Sequence, residues 1–388
     1  MTTNTIQDNS KNIIPVVLDT QKTDYNIVFD SIDSINEYID LSIYSSICVI
    51  TDDNLKQLHW LDRLTMTLQK SYFNKINNVI IPSGENHKNL KTLNLIWLEF
   101  EKLNVNKQSL VINLGGGVIN DIGIMASSLW LGRIDFVQIP SSLWAMIDSS
   151  VDNKPKLNFG DVKNTIGISS EPKIVIIHTE LLNTLPEKQL RSGLSLVVKN
   201  GLINDYNQWT QLQELSDSID LESDSIFNQL QSKLDLTQLI RNSIQIKTDI
   251  VLQDPTQKDI GKTLDFGNSL SECFESIASE SDQKLLRGES LSLGIIYESR
   301  ISYLMGNLSY SDVYLIKTTL ENFGLPVNVW DYDWANQNGF IEKIKELLTK
   351  NKNRQWNQIN WSLLKTIGNC EYNQLIPDTI TIEDILSN

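Results

Sequence analysis

A strand-like run, Leu110-Val111-Ile112-Asn113-Leu114, ends in three glycines, Gly115-Gly116-Gly117, and continues as Val118-Ile119-Asn120-Asp121. Glycines let a backbone approach a phosphate closely, and a following helix offers free N–H groups and the positive end of its dipole. That combination suits phosphate or dinucleotide binding at a sheet edge. It is not the G-x-G-x-x-G pattern, so a tight strand-to-helix turn is the alternative. Earlier, Ile47-Cys48-Val49-Ile50 runs into Thr51-Asp52-Asp53-Asn54, where Asp52 or Asn54 could take ribose hydroxyls. A second constellation is Asp148-Ser149-Ser150-Val151-Asp152-Asn153-Lys154, then Asn158, then Lys163-Asn164-Thr165-Ile166-Gly167. Lysines and asparagines in loops suit a small anion, because an ammonium is a compact point charge. A solvated loop is the competing reading.

Composition narrows the chemistry. The chain has 388 residues, with 33 Lys+Arg against 48 Asp+Glu, a net charge of −15. So acidic a chain argues against nucleic acid as a partner. Three histidines (His59, His87, His178) and three cysteines (Cys48, Cys273, Cys370) leave few candidates for a metal site and no disulfide framework. The opening residues have no basic start and no apolar stretch of signal-peptide length, and no run approaches the ~18 apolar residues of a membrane span. The expectation is a soluble, cytoplasmic protein.

The elements that must position these residues fall into two textures. Apolar runs at 47–50, 79–81, 110–114, 136–139 and 174–177 alternate with helix-like stretches such as 89–103 and 118–131, which predicts a doubly wound, mostly parallel α/β domain. After residue 186 apolar residues recur at three- and four-residue spacing over 187–205, 224–252, 268–279, 288–305, 311–323 and 340–350, which predicts an all-α domain. The expected division is a frayed tail at 1–12, an α/β domain at 13–186 and a helical domain at 187–388, with a polar loop at 217–225. Trp330, Trp334, Trp356 and Trp361 read as packing residues.

Three segments, Gly115–Asp121, Arg133–Ser142 and Ala145–Val151, closely resemble the 3-dehydroquinate synthase family, within the sugar-phosphate cyclases. So do Lys163–Gly167, Thr184–Pro186, Arg191–Leu194 with Lys199, Lys247, Leu264–Gly267 and Gly288–Gly294. The resemblance spans about residues 45–370. It implies an NAD-binding α/β domain and a helical substrate domain, a homodimer, bound NAD and a divalent metal, and a phosphorylated keto-sugar substrate. In that family NAD transiently oxidises a hydroxyl, phosphate is eliminated, the ketone is reduced, and an aldol step closes a carbocycle. The implied cofactor positions are Asp52, Asn54, Glu85, Lys88, Gly115, Gly116, Gly117, Asp121, Ser141, Ser142, Asp148, Lys163, Thr184 and Leu185. The serine pair replaces a family Thr-Thr. The implied substrate-side positions are Lys154, Asn164, Lys199, Lys247 and Lys352.

The chain departs from the family pattern at the metal-binding positions. The family takes its metal ligands from one Glu and two His, and the matching positions here are Leu196, Asn268 and Arg287. A further family His is Glu272. Leucine cannot ligate, an amide oxygen is a weak donor, and a guanidinium repels a cation. The Gly-Gly before the active-site lysine is Asp152-Asn153, the residues after it are Pro155-Lys156, and Trp130-Leu131-Gly132-Arg133 exchanges a family Arg and Gly. Zinc lowers the pKa of a bound water from about 16 to about 7, or about 12 kcal/mol, so its service could not simply be dropped. Three readings follow. One is an NAD-dependent enzyme with metal-free chemistry on an anionic sugar-like substrate, with Arg287 and Asn268 where the metal stood. Another is a pseudoenzyme serving as scaffold or regulatory partner. The third is an ordinary cyclase with a rebuilt metal site. Arg287 also has a purely structural reading, as a cavity-filling side chain paired with Glu289 or Glu272.

Overall fold

The strand-like runs assemble into one parallel sheet. Its strands are β1 (Asn26–Phe29), β2 (Ser46–Asp52), β3 (Lys75–Ile81), β4 (Ser109–Gly115), β5 (Asp135–Pro140) and β8 (Ile174–Ile177), in the order β1-β8-β5-β4-β2-β3. The computed structural model describes residues 25–387 except 150, 152–153, 161, 223–224, 234, 351–353 and 356–357. The tail at 1–12, the start of the expected α/β domain, Asp152-Asn153, Lys352 and Trp356 therefore lie outside the described residues.

Helices α1 (Ile35–Tyr38), α2 (Asp53–Gln57), α3 (Trp60–Gln69), α4 (Leu90–Lys102) and α5 (Gly117–Leu129) flank the sheet. β2, β4 and β8 are buried along nearly their whole length, as strands covered on both faces must be. On one face Ile47 and Val49 join a core with Leu61 and Leu64 of α3; on the other Cys48, Ile50 and Val111 meet Ile96 and Phe100 of α4 and Ile122 of α5. The chain moves outward from β2 to β3 and then returns past β2 to β4. The strand order thus reverses between β2 and β4, and a crevice opens outside their carboxyl ends. Asp52 and Gly115 are those ends.

The remainder is mostly helical: α6 (Glu187–Asn204), α7 (Tyr206–Ser216), α8 (Ile226–Lys233), α9 (Leu236–Gln253), α10 (Asn268–Ser279), α11 (Arg287–Leu304), α12 (Tyr310–Asn322), α13 (Phe340–Thr349) and α14 (Ile382–Leu386). Leu194 of α6, Leu239 of α9 and Leu320 of α12 share one hydrophobic core with the sheet residues Ile47 and Ile112. Trp330 and Trp334 pack edge-on or tilted against Phe340, with centroids 5.5 and 5.8 Å away, and Trp361 is buried in the same cluster. Among the described residues no helix is long and apolar enough to cross a membrane.

The structure differs from the sequence expectation in three places. The stretch 206–216, outside the helical stretches read from sequence, is α7, whose Asp205 side chain caps it through Asn207 and Gln208. The region 187–388 is not purely helical: β9 (Arg354–Gln355) pairs with β10 (Gln358–Ile359), and β11 (Trp361–Thr366) with β12 (Asn369–Gln374), both antiparallel. The second hairpin turns at Gly368, whose φ of +84° suits glycine. The loop bearing Lys163 and Asn164 is also a hairpin, β6 (Lys156–Phe159) with β7 (Val162–Gly167).

Candidate functional site

The crevice begins with the three glycines. Gly116 is the N-cap of α5 and brings no side-chain hydrogen bond, so the first amides of the helix lack a side-chain acceptor there. A Cβ on Gly116 or Gly117 would stand 3.6 Å from Ser142 Oγ or 3.3 Å from Ser149 Oγ, so the two glycines form a narrow trough beside those hydroxyls. Gly115 has a different task. Its Cβ would lie 2.4 Å from the Ile119 side chain, so the glycine there permits the strand and helix to close together. Ser141 N–H donates to Gly115 O at 2.9 Å and ties β5 to this turn. The trough and the uncapped helix end fit a dinucleotide pyrophosphate. At the neighbouring strand end, Asp52 accepts from Leu55 N–H at 3.0 Å, and Asn54 is exposed beside it. Burial raises the Asp52 carboxyl above its ordinary pKa. Thr184 accepts from Trp60 Nε1–H at 2.8 Å, and Leu185 packs partly buried against the core.

The next layer joins the hairpin to the sheet. Lys88 is buried, with its Nζ 2.5 Å from Asp121 Oδ2 on α5 and 2.8 Å from Asn164 Oδ1 on β7. Burial pushes the Asp121 carboxyl up to about 6 even though the Lys88 ammonium pulls it down. Glu85 accepts from Asn158 Nδ2–H at 3.0 Å, and Asn158 Oδ1 accepts from Asn164 N–H at 2.9 Å. Glu85, Lys88, Asp121 and Asn164 are thus one connected group.

The helical half supplies cations. Lys247 of α9 donates to the Asp148 carboxylate, and also to its backbone oxygen at 3.0 Å. Burial alone would raise Asp148, but Lys247, Lys199 and Arg287 together hold it below the ordinary carboxylate range. Lys199 of α6 is buried and donates to Leu264 O at 2.5 Å, with Asn268 Oδ1 at 3.4 Å. Burial brings its pKa down to about 8. Lys154 donates to Pro255 O at 3.0 Å. The charges of Asp148 and Arg287 both bear on the Lys199 ammonium.

Comparison with known proteins agrees with this architecture. Residues 78–192 match the family described as 3-dehydroquinate synthase N-terminal, and residues 193–353 match its C-terminal counterpart. The chain is 31% identical over 320 residues to the 3-dehydroquinate synthase of Ruminiclostridium cellulolyticum, covering 82% of this chain and 83% of that protein. This chain belongs to the 3-dehydroquinate synthase family. The enzyme of Caldanaerobacter subterraneus subsp. tengcongensis is 30% identical over 334 residues, covering 85% and 89%. Among solved structures, the 2-epi-5-epi-valiolone synthase of Streptomyces hygroscopicus subsp. jinggangensis, with NAD+ and Zn2+ bound, shares the fold at a TM-score of 0.78. It is 21% identical, covering 95% of this chain and 97% of that one. A 2-deoxy-scyllo-inosose synthase, complexed with carbaglucose-6-phosphate, NAD+ and Co2+, has a TM-score of 0.74 at 19% identity, covering 93% and 96%.

The three positions that resemble family metal-ligand sites do not fit a divalent cation. Leu196 of α6 is buried and belongs to the main hydrophobic core. Asn268, first residue of α10, donates through Nδ2 to Leu264 O and to Asp265 Oδ1, each at 3.3 Å. Arg287, first residue of α11, sets Nη1 2.9 Å from Glu275 Oε2 and Nη2 3.8 Å from Glu272 Oε1. Glu289 is not its partner: that carboxylate accepts from Leu286 N–H and lies 3.2 Å from Lys188 Nζ. Among the described residues no group of three or more His, Cys, Asp and Glu side chains could hold an ion.

Three acidic residues escape the sequence reading. Glu275 pairs with Arg287 and, at 2.6 Å, with Lys163 of the hairpin. Glu298, wholly buried on α11, accepts from Gly267 N–H at 2.6 Å and Leu270 N–H at 3.0 Å, anchoring the helix that begins at Asn268; burial pushes its carboxyl up to about 8. Asp254 accepts from the N–H groups of Lys258, Asp259 and Gly261 and from Thr256 Oγ. It thereby shapes the loop whose carbonyls at Pro255 and Leu264 hold Lys154 and Lys199. Only spacing to other acids and bases marks these residues in sequence, and that spacing becomes informative once the helices are paired.

Proposed function

We propose that this chain binds NAD in the β2/β4 crevice and acts on a phosphorylated or otherwise anionic sugar-like substrate by chemistry that uses no divalent metal. The observation that carries the reading is buried Lys247 donating to Asp148, next to the Ser149 hydroxyl that borders the glycine trough, with the charges of Lys199 and Arg287 also bearing on that carboxylate. Gly116, Gly117, Ser141, Ser142 and the α5 N-terminus would hold the pyrophosphate, with Asp52 and Asn54 toward a ribose. When bound, NAD supplies reversible hydride acceptance from a substrate hydroxyl. Lys154, Lys199 and Lys247 hold and orient the anion, Asn268 helps to place Lys199 through its Oδ1, and Arg287 offers fixed donors to an oxygen that gains charge. Lys199, with a pKa near 8, holds or releases a proton at Nζ near neutral pH. The membership in a biosynthetic lyase family supports the class of substrate; a homodimer and a cytoplasmic setting complete the proposal.

The test is incubation of purified protein with NAD and a panel of keto-sugar phosphates, following phosphate release, with calorimetry of NAD binding beside it. NAD binding with turnover, no stoichiometric zinc or cobalt by elemental analysis, and turnover lost in Arg287→Ala with fold and NAD affinity intact are the expected results. NAD binding without turnover on any member supports the pseudoenzyme, whose motivating observation is that Lys247 and Arg287 are already paired with acids of this chain. A full equivalent of metal restores the ordinary cyclase.

A further inference from the structure

Glu275 sits where the two halves of the site touch. Its Oε1 is 2.6 Å from Lys163 Nζ on β7, and its Oε2 is 2.9 Å from Arg287 Nη1 on α11. The carboxylate is 13% exposed, against 44% for Lys163 and 33% for Arg287, so this acid is shielded while its cations reach toward solvent. Burial alone would raise its pKa, but Arg287 and Lys163 together hold the carboxyl below the ordinary range. The hairpin that carries Lys163 also carries Asn164, which accepts from Lys88 in the crevice layer.

We propose that Glu275 is a positioning residue that couples the cofactor side of the site to Arg287. One carboxylate shared between two cations is a divided partner. A ligand phosphate that draws Lys163 toward itself leaves Glu275 to Arg287 alone, and the guanidinium is held more firmly. Conversely, an Arg287 engaged elsewhere leaves Glu275 free to retain Lys163 and the hairpin. The competing role is simple neutralisation of a shielded arginine, in which Lys163 is a bystander. The clasp itself stands on the geometry; only the identity of the phosphate ligand rests on the proposed NAD site.

Hydrogen exchange and side-chain NMR on the full chain separate these roles. Lys163→Ala and Glu275→Gln should each speed exchange of the β6–β7 ladder amides by about three- to tenfold, the range of a partly shielded ion pair, and the double variant should do no more than either alone. The Arg287 Nε–H resonance should move in Lys163→Ala, although Lys163 is bonded to Glu275 and not to Arg287. An unmoved resonance in Lys163→Ala, or additive exchange effects in the double variant, overturns the coupling and leaves Glu275 a neutraliser. Should Glu275→Gln fail to fold, the Lys163→Ala resonance still decides the matter. NAD added to the unaltered chain should then shift the Arg287 resonance, and should fail to do so in Lys163→Ala. If NAD does not bind the unaltered chain, the proposed function falls while the Lys163→Ala result continues to stand for or against the clasp. If NAD binds and the resonance stays, the coupling is refuted with the cofactor site intact.

Discussion

Replacing Lys88 with methionine removes the cation 2.5 Å from a shielded carboxylate, and the structure says how the cost must depend on pH. With the ammonium in place, burial already pushes Asp121 from an ordinary 3.8 up to about 6. Without it the folded pKa climbs further, and the carboxyl takes up a proton rather than remain a bare buried charge. A carboxyl with a raised folded pKa favours folding while protonated, and that advantage is lost as pH rises from the unfolded value through the folded one. In the unaltered chain the loss is complete near pH 6. In Lys88→Met it continues upward. The two proteins should therefore differ little from this source below pH 6, and by about 1.36 kcal/mol for each pH unit above it until the variant's own raised pKa is reached. Loss of the bond to Asn164 adds a pH-independent offset of about 1 kcal/mol. Urea unfolding of both proteins at pH 5, 6, 7 and 8 reads the difference directly. A difference that is flat across that range refutes the reasoning, as does a slope that survives when Asp121→Asn is added to Lys88→Met.

Lys199, buried and brought down to about 8, should titrate in a ¹³Cε NMR experiment with a midpoint near 8, leaving about one molecule in ten neutral at pH 7; a midpoint at the ordinary lysine value of 10.5 contradicts the site geometry. Gly288→Ala places a Cβ 1.8 Å from the Ser192 backbone oxygen where α11 crosses α6, and should destabilise by about 3 kcal/mol in calorimetric unfolding. Gly306→Ala, which meets nothing within 4 Å and bears only the strain of a +78° φ, should cost about 1 kcal/mol. Asp254→Asn weakens a cap built from three backbone N–H groups, so amides of the 254–261 loop should exchange about tenfold faster. Because those donors hold the Asp254 carboxyl down at about 2, the cap should survive in the unaltered chain until pH falls toward that value.

Much of the architecture is legible because continuous apolar runs and three- and four-residue spacing report burial directly. Five of the six strands of the sheet and most of the longer helices from 187 onward follow from that. The hairpins at 156–167 and 354–374 do not, because short antiparallel ribbons with one covered face carry little periodic signal and are set by what they pack on. Phe159, for example, is exposed, while Leu157 two residues earlier is buried under α5. The glycine trough is visible in sequence, yet Gly115 and Gly116 do different jobs that only the Ile119 and Ser142 contacts separate. Lys154, Lys199 and Lys247 are equally visible as lysines, but the carbonyls and carboxylate that aim them come from 101, 65 and 99 residues away. Glu275 shows the limit most clearly: its two partners precede it by 112 residues and follow it by 12, so no local pattern could have singled it out.

Leu196 bears on how the site could be altered. Its side chain is 4% exposed and packed into the main core, so the position has become part of what keeps the protein folded. Returning a glutamate there would forfeit about 2 kcal/mol of apolar burial and thrust a carboxylate into hydrocarbon. With a guanidinium at Arg287 and an amide at Asn268, a glutamate at 196 alone completes no ligand set. Each single substitution toward the family's ligand set is thus penalised until the others accompany it, so these three positions can hold an ion only if they change together.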